Sequence, residues 1–366
     1  AYGALAGGNH GHIGGVERQT SLMAKWLAAK GHRVSLITWD EGQADGIEID
    51  GVRVFKLCRQ DAGVPGLRFI WPRWTSLNAA MKRADADVYY QNCGEYVTGQ
   101  VALWCRRHGR KFVYSVASDP DCDRNLPKMH SSREKLLYRY GVKEADRVIV
   151  QTRRQRNMLR DNFARDSAVL PMPCPGPSDA TYTDHVRECN GAHRVLWIGR
   201  VYHVKRPDLL LDLATMCPEL QFDVVGQMAD TEYTRKVCER AKTIHNVTLH
   251  GPASRNAVAE FYKSAKLVCC TSDFEGFPNT FLEAWSFGVP VVSTVDPDGL
   301  VVQRGLGRVG KDVSDLAARM RELLNSPELY RKVSQAARLY YAANHTVDVA
   351  MARFERVFLD LSQGVE

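Results

Sequence analysis

The stretch Thr271–Thr294, TSDFEGFPNTFLEAWSFGVPVVST, constrains the fold of this chain more than any other. The short apolar run Leu267–Thr271 reads as a buried strand. Asp273–Pro278 is polar and turn-rich, so it reads as a loop. Pro278 suits the first turn of a helix, because proline lacks only an N–H that would be unpaired there anyway. Asn279–Phe287 is then the helix, Gly288 fits just past its end, and Pro290 stops it from continuing. Val289–Ser293 follows as a strand. The result is a strand–loop–helix–strand unit of an α/β sheet, with its loop at the carboxyl end of a strand, where such sheets place ligands.

Two carboxylates are placed by that pattern. Glu275 sits in the loop, and Glu283 stands one turn after Asn279, on the same helix face. Between them the helix start offers unpaired backbone N–H groups and a positive dipole end, suited to an anion. A phosphate there, with a carboxylate on each side to accept sugar hydroxyls, describes a nucleotide-sugar site. Taken singly, a solvated helix glutamate and a turn glutamate are the simpler readings. The whole string goes further. E-G-F-P-N-T-F-L-E-A resembles the E-x7-E signature of retaining glycosyltransferases of the GT-B fold, in family 4 (glycosyl transferases group 1). The trailing GVPVVST resembles that family's following strand.

Length and composition agree with such a protein. The chain has 366 residues, room for two domains, and its 45% apolar content is ordinary for a globular protein. No apolar run is long enough for a transmembrane helix. A net charge of +7 suits anionic substrates or an anionic membrane surface and is too weak to argue for nucleic acid. The 10 cysteines form no C-x-x-C pair, which argues against a zinc cluster, and Cys269 and Cys270 read as core residues of a buried strand. Free thiols in a chain of this size suggest a reducing, cytoplasmic setting. No secretory signal is visible, and the abrupt start at Ala1 leaves room for a lost leader.

In chain order, Ala1–Ala6 is expected to end a strand, and Gly7–Gly15 is a glycine-rich loop. A helix follows from about Val16 to Lys30, then a strand at Val34–Thr38, which together make half of a doubly wound sheet. GGVERQTSLMAKWLAAKGHRV also resembles the amino-terminal signature of the same family, where the paired glycines, here Gly14 and Gly15, face the donor diphosphate across the cleft. Val52–Leu57, Val88–Gln91 and Lys111–Val116 read as strands. Gly63–Leu77 mixes Phe69, Ile70, Trp71 and Trp74 with Arg68 and Arg73. This suits a membrane interface or a lipid-linked acceptor, and equally a loop tucking its aromatics into the core. After Lys111–Val116 comes ASDPDCDRN. The family places a histidine near this strand end; here Ser118 or Asp119 stands in its place, with Asp121 and Asp123 close by. Hydrogen bonding to sugar or acceptor is the favoured role for this acidic loop, over metal binding.

Helices are expected at Ser131–Ala145 and at the basic Arg153–Asn162, with a strand at Arg147–Gln151 between them. Pro171, Pro173, Pro175 and Pro177 read as a stiff linker and mark the domain boundary. His193–Gly199 opens the second domain as a strand. Arg200 and Lys205 then put two cations beside a helix start at about Asp208, where they can neutralise a diphosphate. G-R-x4-K-x-P also resembles the opening of the family's carboxyl-terminal domain. Gln221–Val225 is a strand, and Val247–His250 leads to GPAS, the loop with Gly251 that in the family holds the base through backbone groups. Asp312–Leu324, Pro327–Ala343 and Val347–Leu361 are helices. The loop after Ser293 departs from the family pattern, with only Gly299 where a glycine pair is usual.

The resemblance implies a GT-B fold: two Rossmann-like doubly wound domains facing each other across a cleft. Residues 1–172 form the acceptor domain, 173–345 the nucleotide-sugar donor domain, and 346–366 a helix crossing back to the first. It implies a retaining transferase acting on a UDP- or GDP-sugar and a sugar, lipid-linked or small-molecule acceptor, without metal or other cofactor. Arg200, Lys205, Glu275 and Asp119 are the expected catalytic residues. Gly14, Gly15, Gly251, Phe277, Pro278, Asn279, Thr280 and Glu283 are expected to bind the donor. The expected setting is cytoplasmic, with peripheral contact with the inner face of a membrane through 63–77. Rival readings are a GT-B epimerase or phosphorylase, a catalytically idle nucleotide-sugar binder, and an anion-binding interaction protein. No motif marks the pyridoxal phosphate lysine of a phosphorylase.

Overall fold

The computed structural model describes residues 2–7, 14–177 and 193–364. The centre of the glycine-rich loop, 8–13, and Cys189 lie outside the described residues. The chain divides into two compact units, Ala1–Pro173 with Val347–Glu366, and Cys174–Thr346.

The first unit opens with α1 (Tyr2–Ala6), which corrects the strand expected there. The segment holds alanine and leucine, strong helix formers, and no β-branched residue. Leu5 is buried in a cluster with Ala24, Leu36, Val52 and Val54. There follow α2 (Gly15–Ala29), β1 (Val34–Thr38), β2 (Ile47–Ile49) and β3 (Val52–Lys56). β1 runs parallel to β3, and β2 pairs with β3 as an antiparallel hairpin in which Ile49 faces Val52. The turn residues Asp50 and Gly51 have φ of 50° and 76°, the left-handed pair that a two-residue hairpin needs.

The segment 63–77 divides the two readings of it. Phe69 is buried under the Arg133 guanidinium, 3.8 Å from its ring centre, while Ile70 and Trp71 are exposed. Beyond it come α3 (Thr75–Ala84), β4 (Val88–Asn92), α4 (Val97–His108), β5 (Lys111–Ser115), α5 (Ser132–Glu144), β6 (Arg147–Val150), α6 (Arg153–Phe163) and β7 (Ala168–Val169). These strands form a parallel sheet in the order β4-β5-β6-β7. Its core includes Phe112, Tyr114, Tyr138 and Leu159.

The second unit contains β8 (Arg194–Ile198), α7 (Pro207–Met216), β9 (Gln221–Val225), α8 (Glu232–Ala241), β10 (Val247–Gly251), α9 (Arg255–Ser264), β11 (Leu267–Cys270), α10 (Asn279–Ser286), β12 (Val291–Ser293), α11 (Leu300–Gln303), β13 (Gly307–Val309), α12 (Val313–Leu324) and α13 (Pro327–Asn344). Every strand pair is parallel, and the order is β10-β9-β8-β11-β12-β13. This is the order of a Rossmann sheet. Its direction of growth reverses between β8 and β11, where the crevice for a ligand opens. Trp197, Leu213, Phe222, Leu316 and Met320 belong to its core. The proline-rich stretch is packed rather than free: the Cys174 N–H donates to His345 O at 2.9 Å, and the Tyr341 hydroxyl donates to Cys174 O at 2.8 Å. The chain returns to the first unit as α14 (Val347–Ser362), where Asp348 accepts from Trp26 Nε1 at 2.6 Å. On the same helix, Phe354 and Phe358 pack edge-on against Tyr90.

Candidate active site

The switch between β8 and β11 brings Lys205, Arg206, Asp273 and Glu275 together. β8 ends at Ile198, and the chain turns through a short helical turn, His203–Lys205, into α7. β11 ends at Cys270 and leads through the loop to α10. The two connections are tied together. Thr271 Oγ1 donates to Lys205 O at 2.8 Å and accepts from Trp197 Nε1 at 3.0 Å. The Asp273 N–H donates to Val204 O at 3.0 Å. Arg206 adds an ion pair to Asp273 at 3.1 Å.

That frame brings Lys205 Nζ onto Glu275 Oε1, which also accepts from Ser272 Oγ at 2.7 Å. Both charged side chains are largely buried, at 26% and 16% exposure. Burial would lower the Lys205 ammonium, but the carboxylate against it prevails and holds it above its ordinary value. Arg200 stays exposed over the Tyr202 ring at 5.9 Å and has no ion pair among the described residues.

α10 begins beside this pair. The helix starts at Asn279, as expected, with Pro278 as its N-cap at φ −66° and ψ 119°. No side chain caps the helix, and its first turn holds no acidic residue. Its dipole end therefore favours an anion from outside the helix. Asn279 and Thr280 form the first turn. Phe277 packs edge-on to Trp285 at 6.2 Å and against His345 at 5.7 Å. Glu283 is not a solvated surface residue. Its Oε2 accepts from the Tyr262 hydroxyl at 2.6 Å, and Tyr262 is buried and stacked on Phe287. Burial first, and then the nearby Glu283 charge, push the Tyr262 phenol well above its usual range.

The strand ends beside the crevice are shaped by glycine. Gly226, after β9, has φ of 151°, and a Cβ there would lie 1.8 Å from Gly199 O. Gly251, at the end of β10, has φ of 69° and accepts from the Gly226 N–H at 2.8 Å. At Gly226 a side chain would strike the Gly199 backbone, whereas at Gly251 there is open space and only the positive φ favours glycine.

In the first unit, Gly14 and Gly15 open α2. The Gly14 N–H donates to Glu17 Oε2 at 2.9 Å, so the helix's own carboxylate holds this donor. Asp119 is engaged by α6: Gln155 Nε2 donates to Oδ1 and Arg154 Nε pairs with Oδ2, each at 3.1 Å. Asp121 is buried and accepts the N–H groups of Ala117 and Ser118 at 3.2 and 3.1 Å, with Lys128 at 3.4 Å. It fastens its own turn, which corrects its expected role toward a sugar. Among the described residues, no group of three or more His, Cys, Asp or Glu could hold a metal.

Three residues of these sites carry no expectation from the sequence. Ser272 could have been found, since it stands in the loop three positions before Glu275. Tyr262 could not, because it reaches Glu283 from another helix. Glu95 follows β4, and burial, reinforced by Asp121 and Glu17, raises its carboxyl above the ordinary value.

Comparison with known proteins gives concordant matches along the chain. The family "Glycosyl transferases group 1" matches residues 186–340, and "Glycosyl transferase 4-like domain" matches residues 14–175. The D-inositol 3-phosphate glycosyltransferase of Mycolicibacterium smegmatis is 27% identical over 237 residues, covering 60% of this chain and 55% of its own. That of Geodermatophilus obscurus is 30% identical over 242 residues, covering 58% and 53%. The matched part thus spans about half the length of these curated relatives. Among solved structures, sucrose-phosphate synthase from Thermosynechococcus elongatus superposes with a TM-score of 0.79 at 19% identity, covering 96% of this chain and 94% of the other. Anabaena HepE in complex with UDP and glucose gives 0.77 at 16%, covering 96% and 97%. With its parallel α/β sheets, these structural neighbours and both family matches, the chain belongs to the GT4-type glycosyltransferases of the GT-B fold.

Proposed function

We propose that the protein moves a sugar from a UDP- or GDP-sugar to an acceptor hydroxyl, with retention at the anomeric carbon. The observation that carries this reading is the Lys205–Glu275 pair at the β8/β11 switch, beside the uncapped start of α10. Transfer needs charge stabilisation on the leaving diphosphate while the sugar becomes oxocarbenium-like. Lys205, Arg200 and the helix start at Asn279 and Thr280 would supply it. Glu275 would hold hydroxyls of the donor sugar, Glu283 those of the ribose, and the backbone at Gly251 the base. Phe277 and Pro278 shape the loop between the two glutamates. Asp119 is assigned to the acceptor side, and no nucleophile is assigned. The UDP and glucose held by the Anabaena neighbour favour a UDP-sugar. The inositol phosphate named for the curated relatives favours a polar, hydroxyl-rich acceptor. The transfer is metal-independent, because two basic residues already serve the diphosphate. The setting is cytoplasmic, with the first unit peripheral to a membrane.

One other reading has its own support. Since Ser118 or Asp119 stands where the family has histidine, the protein would bind a sugar nucleotide without transferring it. Incubation with UDP- and GDP-sugars and candidate acceptors, with and without EDTA, tests both. Release of free nucleoside diphosphate, unaffected by EDTA and giving a product of the donor's anomeric configuration, is expected. Binding without release would establish the idle binder. Interconversion of the sugar nucleotide without acceptor would establish an epimerase. Loss of the rate in EDTA, restored by magnesium, would overturn metal independence.

A further inference from the structure

In the stretch 64–71, Val64, Leu67, Ile70 and Trp71 are 62%, 66%, 60% and 65% exposed. They stand within eight residues of one another on a short exposed segment, the ridge, which backbone turns hold together. The Leu67 and Arg68 N–H groups donate to Val64 O at 3.1 and 2.9 Å, and those of Ile70 and Trp71 donate to Leu67 O at 3.0 Å each. The segment is not a regular helix: Gly66 has a φ of 91°, and Trp71 has φ −124° and ψ 121°. Phe69, between them, points inward and anchors the ridge against Trp74 at 5.6 Å and Tyr96 at 5.4 Å. Soluble monomers rarely expose so many large apolar side chains together without using them.

Trp74, which Phe69 touches, also lines a pocket of about 400 Å³ together with Leu103, Trp104, Lys82, Arg107 and His108. His108 stacks on Trp104 at 4.2 Å. Neither Lys82 nor Arg107, nor Arg68 on the ridge itself, has an ion pair among the described residues. Aromatic bodies with cationic tips are the side chains that sit at a lipid headgroup boundary. No helix among the described residues is long and apolar enough to cross a membrane.

We propose that this face docks on an anionic lipid bilayer. The ridge enters the headgroup–acyl boundary, and Lys82 and Arg107 take lipid phosphates at the mouth of the pocket. A second copy of the chain is the poorer occupant, because a two-fold contact would bring this basic surface against the same basic surface of its partner. The proposal gives a site to the membrane contact in the functional reading and does not depend on its chemistry, since vesicle binding is measured without donor or acceptor.

Sedimentation of the full chain with vesicles of phosphatidylcholine, alone or mixed with phosphatidylglycerol, tests it. The parent is expected to sediment with the mixed vesicles and less at high salt. The double variant Leu67→Glu/Trp71→Glu should weaken this by about tenfold or more, through the apolar area withdrawn from lipid. Lys82→Glu and Arg107→Glu should each lower the preference for the anionic vesicles by at least about fivefold. The altered side chains are exposed, so the melting temperature should not move; Trp71→Ala replaces the double variant if it does. Failure of the parent to bind mixed vesicles, or equal binding by all variants, would overturn the proposal. So would a parent dimer that Trp71→Ala dissociates with no effect on vesicle binding, which would assign the ridge to a second copy.

Discussion

At the ends of β8 and β11 the Lys205 ammonium meets the Glu275 carboxylate, and Ser272 completes the carboxylate's partners. In the proposed reaction a diphosphate arriving at α10 would compete for the same ammonium and free Glu275 for sugar hydroxyls. Lys205 would then act on a charge that grows during transfer, while Glu283 would act on a ribose that does not change. Lys205→Ala should lower kcat as well as affinity, by about 2–4 kcal/mol, the order for losing one donor to a developing oxyanion. Glu283→Gln should raise the donor KM and spare kcat. Tyr262→Phe should do the same by about tenfold, the order for losing one hydrogen bond to a charged group. Steady-state kinetics with saturating acceptor decides the matter: a pure KM effect of Lys205→Ala, or a kcat effect of Glu283→Gln, would reverse the assignments. Both glutamates were legible from their spacing around one helix start. Tyr262 was not, because its contact exists only after α9 and α10 pack.

Helix starts differ in how they are closed. α5, α6, α8, α9, α12 and α13 are capped by Ser131, Thr152, Thr231, Ser254, Asp312 and Ser326, whereas the starts of α3, α4, α7, α10 and α11 have no capping hydrogen bond from an N-cap side chain. In α5 the cap is reciprocal: Ser131 Oγ accepts from the Glu134 N–H at 3.2 Å, and Glu134 Oε2 accepts from the N–H groups of His130 and Ser131 at 2.9 and 3.2 Å. Burial would raise the Glu134 carboxyl, but the two backbone donors prevail and hold it below its ordinary value. A carboxyl whose folded pKa is lowered stabilises above its unfolded pKa and loses that contribution as pH falls through the folded one. Ser131→Ala should cost about 1 kcal/mol at neutral pH. Glu134→Gln should make the urea midpoint less sensitive to acid below about pH 4.3; an unchanged acid sensitivity would refute the assignment. The S-x-x-E spacing of this cap is visible in the sequence. The β2–β3 hairpin was also written there, as Asp50–Gly51 between alternating apolar residues, yet escapes a search for longer strands. α1 misled for the opposite reason: a short apolar segment has no periodicity to separate helix from strand.

At the scale of the whole chain, the Rossmann strand order of the second unit follows from its regular alternation of strands and helices, so its crevice was legible in advance. The first unit was less so, because the part between β3 and β4 is read by exposure, and exposure is a property of the finished surface. Its thiols hold a further use. Cys105 and Cys122 lie buried in the first unit, and Cys217, Cys269 and Cys270 in the second. Burial pushes the Cys105 thiol up to about 12 and that of Cys269 well above its usual range. A thiol without its thiolate does not react, so alkylation at neutral pH must wait for the surrounding structure to open. Mass spectrometry of an iodoacetamide time course should therefore show these five cysteines lagging behind Cys58. Addition of the nucleoside diphosphate should slow Cys269 and Cys270, beneath the crevice, and leave Cys105 and Cys122 unchanged. Equal slowing in both units would place the nucleotide's grip elsewhere. The chain thus carries, in its unpaired cysteines, a separate clock for each of its halves.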